Sequence, residues 1–288
     1  MAKKKEKKTK PKKVQAPAKL PNPLKVMMPN YAVYYMSTWE KLSAAAIAFL
    51  VGAVCSQVFY GGLFKEDGEA TTMTHISAVV LIVLIGLLAV KVYLPIRQEQ
   101  LRKKRQLNLR NQFRDMLESM TASLSAGDTV FSAFQSAYTD MKLQYGDNAD
   151  IVRELEQILT GAQNRIRIEV MLEDFGKRSG LEDVESFADV FAAVRDNGPN
   201  MGDVMRHTHD IITEKMSIAD EIDSKVSANK LELNVITVAP VALVMMLRAT
   251  NDSMAEQFAS FGGVVCMTIA IGIFIAAYIL GQKILDIR

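Results

Sequence analysis

Apolar and polar residues follow one another in blocks along this chain, and block length separates two kinds of helix. Four blocks are long and free of Asp, Glu, Lys and Arg: Leu42–Phe64, Ala70–Val90, Leu233–Leu247 and Gln257–Gln282. A bilayer core of about 30 Å takes roughly 20 apolar residues as helix, so the first, second and fourth are predicted to span it. The third, 233–247, is only 15 residues long and must borrow flanking residues or thin the bilayer. Pro240 lies in its middle and should kink it, leaving one carbonyl without its helical donor. Gly262, Gly263, Gly272 and Gly281, with Ala270, Ala276 and Ala277, should let the last span pack closely.

Between the second and third blocks the period changes. Residues 97–230 show no strand-like alternation and have apolar positions at helical spacing. Phe113, Met116, Leu117, Met120 and Leu124 share one face. Phe131, Phe134, Tyr138 and Met141 mark a second helix, and Ile151, Leu155, Ile158 and Leu159 a third. "IEVMLEDFGKRSG" is a short fourth, ended by Gly176 or Gly180, and Val184, Phe187, Phe191 and Val194 mark a fifth. A long helix then carries an apolar stripe of Val204, Ile211, Ile218, Ile222 and Val226, with no breaker between Asp203 and Pro240. It is predicted to run directly into the third span.

The punctuation between helices is glycine. Gly127 offers a left-handed C′ residue and Asp128 an N-cap. "RDNGPNMGDVM" (195–205) resembles a phosphate loop at first sight, but its glycines follow a helix, and Asp203 stands where Lys-Ser/Thr would be needed. Gly198 and Gly202 are therefore read as turn residues of a helical hairpin. His207 and His209 are two apart and point to different sides of a helix, so they cannot share a metal there. No nucleophile–base or paired-carboxylate constellation is evident, and no catalytic, cofactor or metal site is predicted.

Charge adds topology. Eight of the first 15 residues are lysine, with one acid, Glu6. Such a block cannot bury itself, and residues 1–38 are predicted to be a disordered Lys/Pro-rich tail. Without aromatics before Tyr31 it lacks a stacking site for nucleic acid, and an anionic lipid face suits it better. Basic residues also crowd Arg97–Arg110 after the second span and follow the fourth. By the positive-inside rule both termini and the middle domain face the cytoplasm. Cys55 and Cys266 sit in apolar runs and suggest neither a disulfide framework nor zinc.

The predicted fold is an all-α integral membrane protein, with two pairs of transmembrane helices flanking one cytoplasmic helical-bundle domain. The parts are tail 1–38, spans one and two 39–96, helical domain 97–230, and spans three and four 231–288. "FRDMLESMTASLSAGDTVFSAF" (113–134), the stretch 168–226, Pro240 in the third span and "GQKILDIR" after the last one resemble the type II secretion system F-protein family. The closest form is that of the tight-adherence (Flp/Tad) pilus platform proteins. The resemblance implies a non-enzymatic platform in the cytoplasmic (inner) membrane that couples a cytoplasmic secretion ATPase to pilin extraction. Its expected partners are that ATPase, pilin subunits, lipid, and a second homologous platform protein or another copy of itself. The expected ATPase-docking residues are Arg102, Lys103, Lys104 and Arg105 with Glu182, Asp183 and Glu185. A membrane receptor signalling through its helical domain is the alternative, with a transporter third.

Overall fold

The computed structural model describes residues 16–61, 65–66, 69–70, 72–194, 201–250, 257–258 and 260–285. In chain order the elements are β1 (Lys19–Pro21), β2 (Met27–Pro29), α1 (Thr38–Tyr60), β3 (Lys65–Glu66), β4 (Glu69–Ala70), α2 (Thr72–Ser125), α3 (Val130–Tyr145), α4 (Asp150–Gln163), α5 (Ile168–Ser179), α6 (Glu182–Val194), α7 (Met201–Thr250) and α8 (Phe261–Leu285). Helices dominate, and α1, α2, α7 and α8 are long and apolar enough to cross a membrane. β1 pairs antiparallel with β2 and β3 with β4. Strands of two or three residues are too short to leave a period-two signal.

The chain divides into two compact units. The first comprises the chain up to Tyr35 together with Leu101–Asp210, and the second Met36–Gln100 together with Ile211 onward.

The first unit is a helical bundle with a single aromatic spine. Phe113 of α2 meets Phe175 of α5 at 6.3 Å and Phe187 of α6 at 5.3 Å, both edge-on. Phe134 of α3 meets Phe191 of α6 at 6.0 Å. Such edge-to-face pairs add to simple area burial. Leu109, Met116, Leu117 and Met120 of α2, Ile151, Leu155 and Ile158 of α4, and Met171 and Leu172 of α5 complete the core. On α3 the buried face is Ala133, Phe134, Ala137 and Met141, so Phe131 and Tyr138 lie off the core line. Two alanines on that face are less conspicuous than two aromatics.

Local chemistry sets the corners. Gly127 has φ of +93° and Gly180 of +64°, the left-handed region in which glycine has no steric penalty. Thr129, rather than Asp128, caps α3: its Oγ1 accepts the Ser132 amide at 3.2 Å, while Asp128 accepts the Ser123 hydroxyl at 2.6 Å. Gly202, expected as a turn residue, is instead the second residue of α7, where an added Cβ would lie 3.8 Å from the Leu124 side chain. Gly198 lies outside the described residues.

Two further expectations require correction. The tail read as disordered over 1–38 is folded from residue 16. Asn22 opens a tight turn, accepting the Val26 amide on Oδ1 at 2.8 Å. Pro23 follows with its fixed φ, Lys25 is left-handed, and β1 and β2 flank the turn. Tyr31 beyond it is fully buried. The lysine-rich composition of residues 1–15 had masked a different sequence behind it. Second, the buried line of α7 is Met205, Ile212 and Met216, one position on from the predicted stripe, and Ile211, Ile218 and Ile222 are exposed. Two apolar stripes share this helix, and methionines fill the inner one.

The long helices cross their expected boundaries without a break. α2 continues through Pro95 into the core-forming segment, and α7 contains Pro240. Each proline costs one backbone bond and a local bend.

In the second unit the apolar helices meet through small residues. A Cβ on Gly52 of α1 would lie 3.0 Å from the Gly86 Cα and the Ala89 Cβ of α2, and one on Gly86 would lie 2.5 Å from the Phe49 ring. Close approach through glycine is a common packing mode between membrane helices. The Tyr60 hydroxyl of α1 lies 3.1 Å from the Thr268 hydroxyl of α8. Arg248 near the end of α7 donates to Gly61 O at 2.8 Å and Phe59 O at 3.0 Å. These carbonyls lie at the C-terminus of α1, where the last turn leaves acceptors without partners and the helix dipole is negative. In the most apolar 18-residue windows of α2, α7 and α8 only 6 % of residues are buried. Their outward apolar surface is what a lipid environment would cover.

Candidate functional site

The densest polar cluster in the first unit is an ionic clasp that the sequence analysis did not identify. Arg178 of α5 donates from Nη1 and Nη2 to the two carboxylate oxygens of Glu154 on α4, at 2.7 Å each, and from Nε to Asp174 at 2.7 Å. Arg178 and Glu154 are almost wholly buried, at 3 % and 1 % side-chain exposure. The Tyr31 hydroxyl donates to the same Glu154 oxygen at 2.9 Å. Arg178 also donates to Pro29 O at 3.3 Å, and its own carbonyl accepts the Tyr31 amide at 2.8 Å.

The electrostatics favour a charged pair. Burial opposes charge on Arg178, but the hydrogen bonds and charges of Glu154 and Asp174 outweigh it and hold the guanidinium protonated beyond its ordinary range. Burial pushes the Glu154 carboxyl upward, while three donated hydrogen bonds favour its ionised form. Burial, then the charges of Glu154 and Asp150, push the Tyr31 phenol far above its usual value, so it remains a donor.

One signal for this clasp was present in the sequence. Glu154 falls on the apolar face of α4 defined by Ile151, Leu155 and Ile158, and Arg178 continues the face of Met171 and Phe175 on α5. A charge at a core position implies a buried partner.

The residues expected to dock an ATPase separate into two groups. Arg105 grips Asp150 with Nε and Nη2 at 3.0 and 2.8 Å, and its guanidinium stacks 4.6 Å from the Tyr31 ring. The hydrogen bond to Asp150 raises its pKa further. Arg102 donates to Gln106 Oε1 at 2.8 Å, and Gln106 in turn donates to Ser179 O and Gly180 O. Asp183 is buried and accepts Arg110 Nε at 2.7 Å. Arg105 and Asp183 therefore hold the fold together. Lys103, Lys104, Glu182 and Glu185 are exposed. Glu182, Asp183 and Glu185 all lie in the first turn of α6, where acids complement the helix dipole. The contacts of Gln106 and Arg110 bring the basic stretch of α2 beside the α5–α6 corner.

An open depression of about 440 Å³ lies where α3 and α5 begin, lined in part by Thr129, Phe131, Arg165, Arg167, Glu169 and Phe191. Its lining has no nucleophile–base pair. His207 is exposed on α7, and among the described residues no group of three or more His, Cys, Asp or Glu side chains could hold a metal ion. Compared with family models, curated proteins and solved structures, the chain matches none of them.

Proposed function

We propose that this chain is a non-enzymatic platform protein of the cytoplasmic membrane, serving a Flp/Tad-like type IV pilus or a type II secretion-like machine. It couples a cytoplasmic secretion ATPase to the extraction of pilin subunits and assembly of the fibre. The observation that carries this reading is the continuity of two helices. α2 (Thr72–Ser125) and α7 (Met201–Thr250) each pass unbroken from an apolar, membrane-length segment into polar, domain-forming sequence. A turn or tilt imposed on the polar half of such a helix passes to its apolar half. The order of elements supports the same reading: two apolar helices enter and leave the sequence around one polar helical region, as in the family that residues 113–134 and 168–226 resemble.

The remaining docking surface in this reading is Lys103 and Lys104 with Glu182 and Glu185. Purification of the full chain from native membranes in mild detergent tests the proposal. A hexameric secretion ATPase and a second homologous membrane protein should copurify, and cells lacking the chain should make no fibres. Ligand transport by the purified chain alone in vesicles would overturn it.

A further inference from the structure

We propose that residues 16–35 form a releasable strap: a peptide ligand bound in cis, anchored by Tyr31, which occupies a peptide-binding groove on α2, α4 and α5 and can leave it while those helices stay folded. This inference goes beyond the platform reading and needs none of that reading's partners.

The seat is shaped for an extended chain. A Cβ on Gly180 would lie 3.0 Å from the Ala32 Cβ and 3.1 Å from its Cα, so the bare glycine makes room for the strap. The groove reads strap backbone twice at one residue: the Arg178 carbonyl accepts the Tyr31 amide, and its guanidinium donates to Pro29 O. Gln157 Oε1 accepts the Asn22 amide group at 3.2 Å. The Tyr31 ring lies between the Arg105 guanidinium and the edge of Phe175, whose centroid is 6.5 Å away. Backbone recognition with one aromatic anchor is how grooves bind extended peptides.

Release leaves neither side with stranded charge. Without the strap, Arg178 keeps Glu154 and Asp174, Arg105 keeps Asp150, and Gln106 keeps the carbonyls of Ser179 and Gly180. The strap keeps its own bonds, including Asn22 to Val26 and Asn30 to Ala18. Release uncovers Tyr31 and Met28 and the partly covered Leu20, Leu24, Val33 and Tyr34, while the ring contacts among Phe113, Phe134, Phe187 and Phe191 lie between helices and do not involve the strap. A segment held this way opens below the cost of global unfolding. Its position matters: the lysine-rich segment precedes it and α1 follows, so binding at either end loads the anchor.

Hydrogen exchange on the full chain in detergent, with a labelled synthetic peptide of residues 16–35, tests this. In the wild type the Tyr31 amide, which the Arg178 carbonyl holds, should exchange at least about tenfold faster than those of Leu155 and Ile158 in α4. Tyr31→Ala should speed exchange in the strap and leave α4 and α5 protected. It should also bind the peptide, which the occupied wild-type groove should not. Exchange of strap and α4 in step in the wild type would overturn the proposal. So would loosening of α4 and α5 in Tyr31→Ala, failure of that variant to take the peptide, or equal binding to both proteins.

Discussion

Arg178 reaches both carboxylate oxygens of Glu154 at 2.7 Å in a place water barely enters, while Lys177, its neighbour, reaches Glu173 at 2.6 Å in the open. The two pairs are almost equally short and energetically unlike. Removing one member of a buried pair leaves the other uncompensated and costs about 3–5 kcal/mol. Glu154→Ala should therefore lower the melting temperature of the detergent-solubilised protein sharply. Lys177→Ala should leave it within error of the wild type, because solvent screens an exposed pair.

The alkaline limb of stability should carry the signature of Tyr145. Its hydroxyl donates to Asp115, and burial, then that hydrogen bond and the Asp115 charge, push its pKa up to about 12 from an ordinary 10. A phenol whose folded pKa is raised contributes stability that is full below the unfolded pKa. That contribution is lost as pH rises through the folded value. The loss should fall between about pH 10 and 12. Ultraviolet titration of tyrosinate in wild type and Tyr145→Phe should isolate this late-titrating group, and Asp115→Asn should bring it earlier.

In the second unit, Gly86→Ala should destabilise the α1–α2 contact, since the added methyl would meet the Phe49 ring. Phe49→Ala alone removes packing. Combined, the two should cost less than the sum of the single changes, a coupling that a double-mutant cycle on thermal melting reads directly.

Exchange along α7 should be slow and even from Ser227 to Leu231, because the helix runs through that stretch. Fast exchange confined there would show a hinge. Ala228→Pro, which removes an interior helix bond at about 3 kcal/mol, should create one. On the platform reading it should stop fibre assembly while the chain still inserts.

Reversing Lys103 and Lys104 together with Glu182 and Glu185 should weaken ATPase association without lowering the melting temperature, since these side chains are exposed. Reversing Arg105 or Asp183 should lower the melting temperature, because each sits in a buried or half-buried ion pair. Unchanged ATPase association in the first variant would remove the docking surface from consideration.

These contrasts show where sequence patterns carry information. Four apolar helices were legible because segments of membrane-spanning length stand out by length and lack of charge. The helical faces of α2, α4 and α6 were legible because their apolar residues recur at i, i+3 and i+4. Charge runs were not: Arg102–Arg105 reads as one basic patch, yet Arg105 turns inward to Asp150 and Tyr31 while Lys103 and Lys104 stay outside. A helix rotates about 100° per residue, so adjacent charges belong to different environments. The strap escaped notice because it is recognised mainly through backbone groups and one tyrosine, neither of which leaves a periodic trace.

Arg248 joins two things that are usually set separately. It closes the carbonyl end of α1, and it is the first charge after the apolar run of α7 that ends at Leu247. On the membrane-spanning reading, one guanidinium would mark the water boundary for both helices and give them a shared depth register. A change in bilayer thickness at that surface would shift α1 and α7 together rather than slide one past the other. Arg248→Ala would let each helix find its own level.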